Sequence, residues 1–346
     1  FHRTQTVPGH GTKPAWTFNG KAEGFSLDPA GVGEPTVHAS YLHLHWAGRP
    51  DAAQRFADAA ARFAGHRGQR VVDAATRASL DGIDLRHHGD HDLAPGLVDL
   101  AVNVLLPRPP DWLATQLARS LHELGAYPDA TAARLAIAAR HGVSPEMVLP
   151  TAGAAEAFTL IARTLTAQHP LVVHPQFTEP EVALRAAGAA VQRWLLPVGP
   201  DAATPPLGEL PSWADALFVG NPTNPTGWLH RRADLLAAGE GRLLVVDEAF
   251  MDATDEAESL ISAQMPDRLV LRSLSKTWGL AGLRVGYVVG DPKLVARLEA
   301  AQPAWPLSTP AVAAIVATSA PAAVAAANRR DDAVAADRAH LVAAFA

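Results

Sequence analysis

Short runs of apolar residues alternate along the chain with longer stretches in which apolar residues recur at helical spacing. The short runs cover residues 171–174, 216–219, 243–246 and 269–271. Because these runs lack polar alternation, they predict strands that are buried on both faces of a mostly parallel sheet. Residues 110–124 and 131–141 show helical spacing and predict helices. The pattern predicts an α/β fold in which helices cover both faces of the central sheet.

The N-terminal part of the chain shows a different sequence pattern. Residues 1–35 are rich in Gly, Pro, Thr and Lys with little periodicity, which predicts loop or extended chain. Alternation over 41–46 predicts a short strand, and apolar residues at helical spacing over 51–64 predict a helix. The chain begins with Phe1 and keeps a helical pattern to its last residues, so we expect both ends to be cut.

Charge and composition narrow the class of protein. The 346 residues carry 29 Lys and Arg against 35 Asp and Glu, a net charge of −6, which argues against a nucleic-acid partner. No apolar run approaches the ~20 residues that span a bilayer, so we expect a soluble protein and no membrane partner. The absence of Cys excludes disulfides and thiolate chemistry, and we expect a cytoplasmic location.

The most informative polar segment follows the predicted strand over 269–271. Its hydroxyls at Ser273 and Ser275, with the guanidinium of Arg284, can bind phosphate oxygens, and the amine of Lys276 can form an imine with an aldehyde. Ligands bind in open α/β sheets just beyond the carboxyl ends of the strands, which is where this segment lies.

Two further segments follow predicted strands in the same way. Asp247 comes directly after the run over 243–246, where its carboxylate can pair with a protonated ring nitrogen. Asn224 lies in an Asn-Pro-Thr-Asn-Pro-Thr-Gly segment after the run over 216–219, and its amide can donate to a ring oxygen.

Together these segments resemble the fold-type I pyridoxal-phosphate enzymes, in the branch of class I/II aminotransferases that holds histidinol-phosphate aminotransferases and threonine-phosphate decarboxylases. The resemblance covers residues 81–310. It implies pyridoxal 5′-phosphate as cofactor, with Lys276 as the Schiff-base lysine and Asp247 as partner of the pyridine nitrogen. It also implies Asn224 as donor to the phenolic oxygen. The implied phosphate ligands are Ser273, Ser275 and Arg284.

Other positions extend the resemblance. Ala154 and Ala155 match the turn that cups the cofactor phosphate before a helix predicted over 157–165. Phe177 matches the aromatic residue that stacks on the cofactor ring. Tyr127 matches the tyrosine that reaches the phosphate of the neighbouring subunit, so the resemblance implies a homodimer.

Two features favour the decarboxylases within this family. Phe250 stands where many transaminases carry a Tyr whose hydroxyl bonds the phenolic oxygen, and this Phe is more similar to the decarboxylases. The segment over 85–90 is similar to their His-Gly-Gly segment, which implies a role for His87 and His88 in binding the substrate phosphate. The histidines here, and His43 and His45, superficially resemble metal ligands, but we favour solvated or substrate-facing roles and expect no metal site.

The resemblance also divides the chain. We expect an unassigned segment over 1–75 and, over 76–115, a segment that leads into the active site together with part of the small domain. The large cofactor-binding domain is expected over 116–300, and the start of a truncated small domain over 301–346. The arginines in the last part match no motif for binding the substrate carboxylate, so that residue is expected to be missing and the small domain incomplete.

Three functions remain open. The first is decarboxylation of L-threonine phosphate, which supplies aminopropanol phosphate for cobalamin biosynthesis. The second is transamination of histidinol phosphate or a similar amino acid, and the third is a degenerate relative with little activity. Phe250 and the histidine segment favour the first.

Overall fold

The computed structural model describes residues 83–97, 99, 101–198 and 203–345, together with Thr12 and four short strands near the N-terminus. The chain divides into two compact units, Phe1–Val71 and Val72–Ala346. In the first unit, β1 (Trp16–Phe18) pairs antiparallel with β2 (Lys21–Glu23), and β3 (Phe25–Leu27) pairs antiparallel with β4 (Val37–Ala39). The strand predicted over 41–46 and the helix predicted over 51–64 lie outside the described residues, as do His43 and His45.

The second unit is built on a seven-stranded sheet. Its strands are β5 (Val148–Thr151), β6 (Pro170–His174), β7 (Gln192–Leu195), β8 (Ala216–Gly220), β9 (Leu243–Asp247), β10 (Arg268–Ser273) and β11 (Gly286–Gly290). They lie in the order β5-β11-β10-β9-β8-β6-β7. Strand β11 runs antiparallel to both of its neighbours, and the other pairs are parallel. The four apolar runs are β6, β8, β9 and β10, which confirms the predicted α/β fold.

Eight helices accompany the sheet in the described part of this unit. They are α1 (Asp111–Ser120), α2 (Thr131–His141), α3 (Gly153–Thr164), α4 (Glu179–Ala186), α5 (Arg232–Ala238), α6 (Pro292–Ala301), α7 (Thr309–Ser319) and α8 (Pro321–Phe345). Helix α2 has the predicted bounds. The prediction over 110–124 was too long, because α1 ends at Ser120 and a tighter turn, Leu121–Glu123, follows it.

Local sequence explains where two helices begin. Asp291 accepts a hydrogen bond from the Lys293 N–H at 2.8 Å and caps α6, whose first residue is a proline. Ser308 accepts from the Ala311 N–H at 3.3 Å and caps α7 in the same way. Both caps satisfy a backbone donor that the helix itself leaves without a partner.

Alternate residues of the central strands face two separate apolar cores. Val246 and Val270 pack on one face, with residues of α1, α2 and α7. Val245 and Leu271 pack on the other face, with residues of α3, α4 and α6. Each large apolar side chain that is fully buried in these layers contributes about 1.5–3 kcal/mol. The double burial explains why the strands read as continuous apolar runs.

Among the described residues, no single helix is long and apolar enough to cross a membrane. Only α7 and α8 taken together pass that test, and they meet at an angle of 76°.

A buried ionic cluster lies at the carboxyl end of β10. The guanidinium of Arg272 contacts Glu248 at 3.0 Å, Asp252 at 2.7 Å and Glu256 at 2.6 Å. Arg140 of α2 contacts Asp252 at 2.9 Å from the other side. Although burial lowers the pKa of Arg272, the carboxylates outweigh it and raise that pKa, so Arg272 keeps its charge inside the protein.

A neutral pair borders this cluster. Burial, with the charges of Arg272 and Arg140, lowers the pKa of His141 to about 2. Its uncharged ring lies 2.9 Å from the hydroxyl of Tyr287, whose pKa burial raises to about 12. The neutral ring adds no positive charge beside the two arginines.

Replacing Arg272 with Met is expected to lower the free energy of unfolding by about 3 kcal/mol or more, because it leaves buried carboxylates without their cation. Urea denaturation followed by circular dichroism measures this change. The control is Arg231→Met, which removes an exposed ion pair with Asp234 and should leave the midpoint nearly unchanged. Equal midpoints for both variants would show that the buried cluster does not stabilise the fold.

Candidate active site

Three predicted site residues lie at one edge of the sheet. Strands β8, β9 and β10 are adjacent and parallel, so their carboxyl ends meet there. Asp247 is the last residue of β9 and pairs with Gly220 of β8 on one side and Leu271 of β10 on the other. Asn224 and Lys276 follow the two neighbouring strands within a few residues. The sheet thus collects the three segments singled out in the sequence.

The carboxylate of Asp247 lies in a partly buried position at this edge. Its Oδ1 accepts a hydrogen bond from the Ala249 N–H at 3.0 Å. Burial raises the pKa of Asp247 to about 6, and the Ala249 hydrogen bond and the charge of Lys276 act in the opposite direction. A carboxyl group in this state gains from a cationic partner that arrives with a ligand.

Burial lowers the pKa of the Lys276 amine, while the nearby Asp247 carboxylate opposes this and Arg284 adds to it. The Lys276 Nζ atom lies 5.6 Å from the centre of the Phe250 ring. A lysine with a lowered pKa spends more time as the neutral amine, which is the form that attacks an aldehyde.

A candidate anion site lies where α3 begins. Gly153, the first residue of α3, has φ +78°, and a Cβ added there would lie 2.9 Å from Nη2 of Arg284. The guanidinium therefore lies directly over the first turn of the helix, whose backbone N–H groups lack partners within the helix. Ala154 and Ala155 lie in that turn, because α3 starts at Gly153 and not at the predicted position 157.

Two hydroxyls extend this site. Ser273 is the last residue of β10 and pairs with Gly286, and a Cβ added to Gly286 would lie 3.1 Å from the Cα of Gly153. The Ser273 Oγ accepts from the Ser275 N–H at 3.3 Å. The Ser275 Oγ is buried and has no hydrogen-bond partner. A buried hydroxyl without a partner is costly, and an oxyanion bound here would supply the missing acceptor.

The loop after β6 carries Phe177 and meets the histidine segment. The ring of His88 stacks on Phe177 with 5.6 Å between their centres and 29° between their planes. The His88 Nε2 atom lies 3.6 Å from Glu179 Oε1, and Thr178 Oγ1 donates to the Leu85 carbonyl at 2.8 Å. These contacts hold the His88 ring against Phe177, the residue that the sequence predicts to stack on the cofactor ring.

Two predicted residues lie apart from these contacts. His87 is exposed and pairs with Asp92 at 2.9 Å, and this hydrogen bond raises the pKa of His87. The Tyr127 side chain is 76% exposed, and its ring stacks on Trp305 with 4.1 Å between the two centres. Neither residue is joined to Asp247 or Lys276 by a contact within the described part of the chain.

Sequence reasoning missed two residues that contact the site loops. Asn103 Nδ2 donates to Asn224 Oδ1 at 3.0 Å. The only sequence signal for Asn103 is that it is a polar residue within an apolar stretch. Arg330 of α8 lies over the Trp278 ring at 4.6 Å and donates to the Thr277 carbonyl at 3.4 Å, next to Lys276. In the described residues, no group of three or more His, Asp or Glu side chains could hold a metal ion.

Replacing Asp247 with Asn tests the raised pKa in cofactor-free protein. A carboxyl whose folded pKa is about 6 stabilises the fold while it is protonated, and that stability is lost as the pH rises through this value. The neutral amide has no such loss. The variant should therefore gain in free energy of unfolding relative to the unmodified chain as the pH rises from about 4, where the unfolded carboxyl titrates, to about 6, and the difference should stay constant above about pH 7.

Urea denaturation at each pH measures this difference. The control, Asp234→Asn, removes an exposed carboxyl whose pKa is lowered by its hydrogen bond from Arg231, and it should show no gain over the same range. A constant difference between Asp247→Asn and the unmodified chain throughout that range would contradict the raised pKa.

Comparison with known proteins identifies the family. The sequence profile of the family described as aminotransferase class I and II matches residues 95–346. A Mycobacterium tuberculosis protein named histidinol-phosphate aminotransferase is 48% identical over 274 residues, 76% of this chain and 72% of the relative. A Pseudomonas aeruginosa threonine-phosphate decarboxylase is 35% identical over 170 residues, 48% of this chain and 49% of the relative.

One further relative belongs to a different class of enzyme. A Thermobifida fusca protein named hydrogenobyrinate a,c-diamide synthase is 62% identical over 60 residues, 17% of this chain and 13% of the relative.

Solved structures agree with the family. The L-threonine-O-3-phosphate decarboxylase of Porphyromonas gingivalis superposes with a TM-score of 0.57 at 26% identity, over 64% of this chain and 69% of that one. A Sinorhizobium meliloti histidinol-phosphate aminotransferase in complex with pyridoxal 5′-phosphate superposes with a TM-score of 0.58 at 22% identity, over 68% of this chain and 66% of that one.

The residues present fit that cofactor. Ser275 offers a buried hydroxyl without a partner, and Arg284 lies over the N-terminus of α3, and both features suit the phosphate group. Asp247 and Lys276 suit the ring nitrogen and the aldehyde. With the profile match over most of the chain, the protein is a pyridoxal-phosphate-dependent enzyme that belongs to the class I and II aminotransferase family.

Proposed function

We propose that the enzyme decarboxylates L-threonine O-3-phosphate and thereby supplies aminopropanol phosphate for cobalamin biosynthesis. The observation that carries this proposal is the 60-residue match to a hydrogenobyrinate a,c-diamide synthase in the same chain as the aminotransferase-family domain. Hydrogenobyrinate is a corrin acid, so the match points to corrin-ring chemistry. Relatives named threonine-phosphate decarboxylase at 35% and 32% identity support the same reading.

The proposed site uses the residues predicted from the sequence. Lys276 binds the cofactor aldehyde, Asp247 pairs with the pyridine nitrogen, Asn224 donates to the phenolic oxygen and Phe177 stacks on the ring. The phosphate is held by Ala154, Ala155, Ser273, Ser275 and Arg284. When bound, pyridoxal phosphate withdraws electrons from the substrate α-carbon. Asp247 sustains this withdrawal because its carboxylate keeps the ring nitrogen protonated.

Substrate orientation decides which bond at the α-carbon breaks. Decarboxylation needs the carboxylate perpendicular to the ring plane, whereas transamination needs the C–H bond there. We propose that His88, stacked on Phe177, and the neighbouring His87 bind the substrate phosphate and so orient the α-carbon. With the cofactor bound, the α-carboxylate would leave as carbon dioxide, and a proton from solvent would replace it on the α-carbon.

Phe250 supports this choice. Its ring, 5.6 Å from the Lys276 Nζ, offers no hydroxyl where many transaminases have one. The alternative, transamination of histidinol phosphate, is favoured by the 48% identical mycobacterial relatives that carry that name. The third possibility is a degenerate relative with little activity. Arg330 contacts the backbone of the lysine loop, and the proposed site includes no arginine that binds the substrate carboxylate.

The proposed assembly is a homodimer. Tyr127 and Trp305 stack on each other while their side chains are 76% and 56% exposed. Leu121 and Leu124, which are also more than half exposed, lie near Tyr127 in the sequence. An exposed apolar patch of this kind fits a second copy of the chain, in which Tyr127 reaches the cofactor phosphate of the partner. A cytoplasmic location stays a prediction.

Product analysis tests the proposed reaction. The protein loaded with pyridoxal phosphate should release carbon dioxide from L-threonine phosphate, and His88→Ala should reduce kcat/KM by at least about tenfold, because a charge-assisted contact to phosphate is worth about 1.5–3 kcal/mol. His169→Ala, which replaces an exposed histidine directly before β6, is the matched control and should keep its rate. Lys276→Ala should abolish turnover.

The same assay distinguishes the alternatives. A transaminase would transfer the amino group of L-glutamate to the 2-oxo analogue of histidinol phosphate. That result, without any decarboxylation of threonine phosphate, would establish the transaminase instead. If borohydride treatment of one sample shows that the cofactor is linked to Lys276, and an untreated sample turns over neither substrate, the degenerate relative is supported.

Gly153→Ala tests the proposed phosphate site. The added Cβ would meet Arg284 Nη2 at 2.9 Å, so we expect pyridoxal phosphate to bind at least about tenfold more weakly. Gly142→Ala is the matched control, since Gly142 also has a positive φ, +63°, but an added Cβ meets nothing within 4 Å. Both variants should lose about 1 kcal/mol of stability through backbone strain. Equal cofactor affinities, measured by equilibrium dialysis, would argue against this phosphate site.

A further inference from the structure

Residues 103–108 lie against both loops that carry proposed cofactor ligands. Asn103 Nδ2 donates to Asn224 Oδ1 at 3.0 Å, and the Leu105 N–H donates to the Lys276 carbonyl at 2.9 Å. At Gly279, in the lysine loop, an added Cβ would lie 2.8 Å from backbone atoms of this segment. The segment therefore packs closely on the lysine loop and holds the asparagine loop through one side chain.

The hydrogen bond from Asn103 requires one particular orientation of the Asn224 side-chain amide. A side-chain amide has an acceptor end and a donor end, and the two differ only by rotation about the last bond. Because Asn103 donates to the oxygen of Asn224, the nitrogen of that amide is left to donate elsewhere. The opposite orientation would leave an oxygen in that place, which would repel an anionic oxygen of a ligand.

We propose that Asn103 is a positioning residue that fixes the orientation of the Asn224 amide, so that its N–H is presented to the phenolic oxygen of the cofactor. This inference rests on the proposed role of Asn224. It matters more here than in a site with a tyrosine, because Phe250 supplies no second hydroxyl for that oxygen. Asn103 itself is exposed, so its replacement spares the core.

Two substitutions of Asn103 separate orientation from packing. Asn103→Ala removes the donor and leaves the Asn224 amide free to rotate. Asn103→Asp keeps the size but offers only acceptors, so it attracts the nitrogen of Asn224 and turns its oxygen towards the cofactor. If the role were packing alone, the nearly isosteric Asp would be the milder change.

The readout is the pH at which bound pyridoxal phosphate changes its visible absorption. Loss of a donor to an anionic oxygen should raise this apparent pKa by about 1 in Asn103→Ala, and by more in Asn103→Asp. In an Asn224→Ala background, both Asn103 substitutions should lose most of their effect. Val102→Ala, an exposed apolar neighbour, is the control and should leave the titration unchanged.

The outcomes distinguish this inference from the proposed function. If Asn224→Ala leaves the absorption titration unchanged, the assignment of Asn224 is wrong and the inference falls with it. If Asn224→Ala shifts the titration but the Asn103 variants do not, only the role of Asn103 is wrong. A raised KM with an unchanged titration would make Asn103 a substrate contact and overturn the positioning role.

Discussion

A buried arginine joins the two strand ends that carry Asp247 and the lysine loop of the proposed site. Arg272 belongs to β10, and Glu248, its partner at 3.0 Å, is the residue that follows Asp247 at the end of β9. The Glu248 N–H also donates to the Leu271 carbonyl at 2.8 Å, so charge and backbone hold the same junction. Since a buried ion pair is costly unless every charge is matched, the cluster tolerates little displacement. The edge that carries Asp247 and the lysine loop is therefore rigid before any ligand binds.

Burial acts in opposite chemical directions on the two titratable groups of the site. It raises the pKa of Asp247 and lowers that of Lys276, so each group is driven towards its neutral form. The attraction between the two groups opposes both shifts without cancelling them. A ligand that brings a protonated nitrogen to Asp247 offsets the cost of ionising this carboxyl, and an aldehyde reacts with the amine in the form that burial favours. The site is thus electrostatically prepared for an aldehyde on a basic ring.

The sequence was a good guide wherever local pattern decides the structure. Apolar runs predicted β6, β8, β9 and β10, because strands buried on both faces cannot carry polar alternation. Motifs that follow those strands predicted that Asn224, Asp247 and Lys276 lie at one edge of the sheet, because parallel neighbours end there, and the roles of the three residues stay predictions. The start of α3 was missed, since no N-cap side chain marks it and Gly153 begins the helix at a positive φ.

The sequence pattern could not predict contacts between segments that are distant along the chain. Asn103 meets Asn224 across 121 positions of sequence, and Arg330 meets Thr277 across 53. Nothing near either residue marks the partner, and Arg330 lies in an alanine-rich helix whose pattern suggests only solvent exposure. The ionic cluster around Arg272 was missed for a related reason, because charged residues are ordinarily read as surface.

The candidate anion site depends on two glycines, Gly153 and Gly286, as well as on its side chains. Gly286 of β11 pairs with Ser273. A Cβ at Gly286 would lie 2.6 Å from the Arg272 carbonyl of β10 and 3.1 Å from the Cα of Gly153, so it would separate β11 from both β10 and the start of α3. Arg284 adopts a φ of +53°, which L side chains seldom take, and its guanidinium covers Gly153 from the other side. A helix N-terminus, two serine hydroxyls and a cation come together only because β11 returns antiparallel beside β10. The antiparallel strand, the one departure from a parallel sheet among the described strands of this unit, is therefore what assembles the anion site.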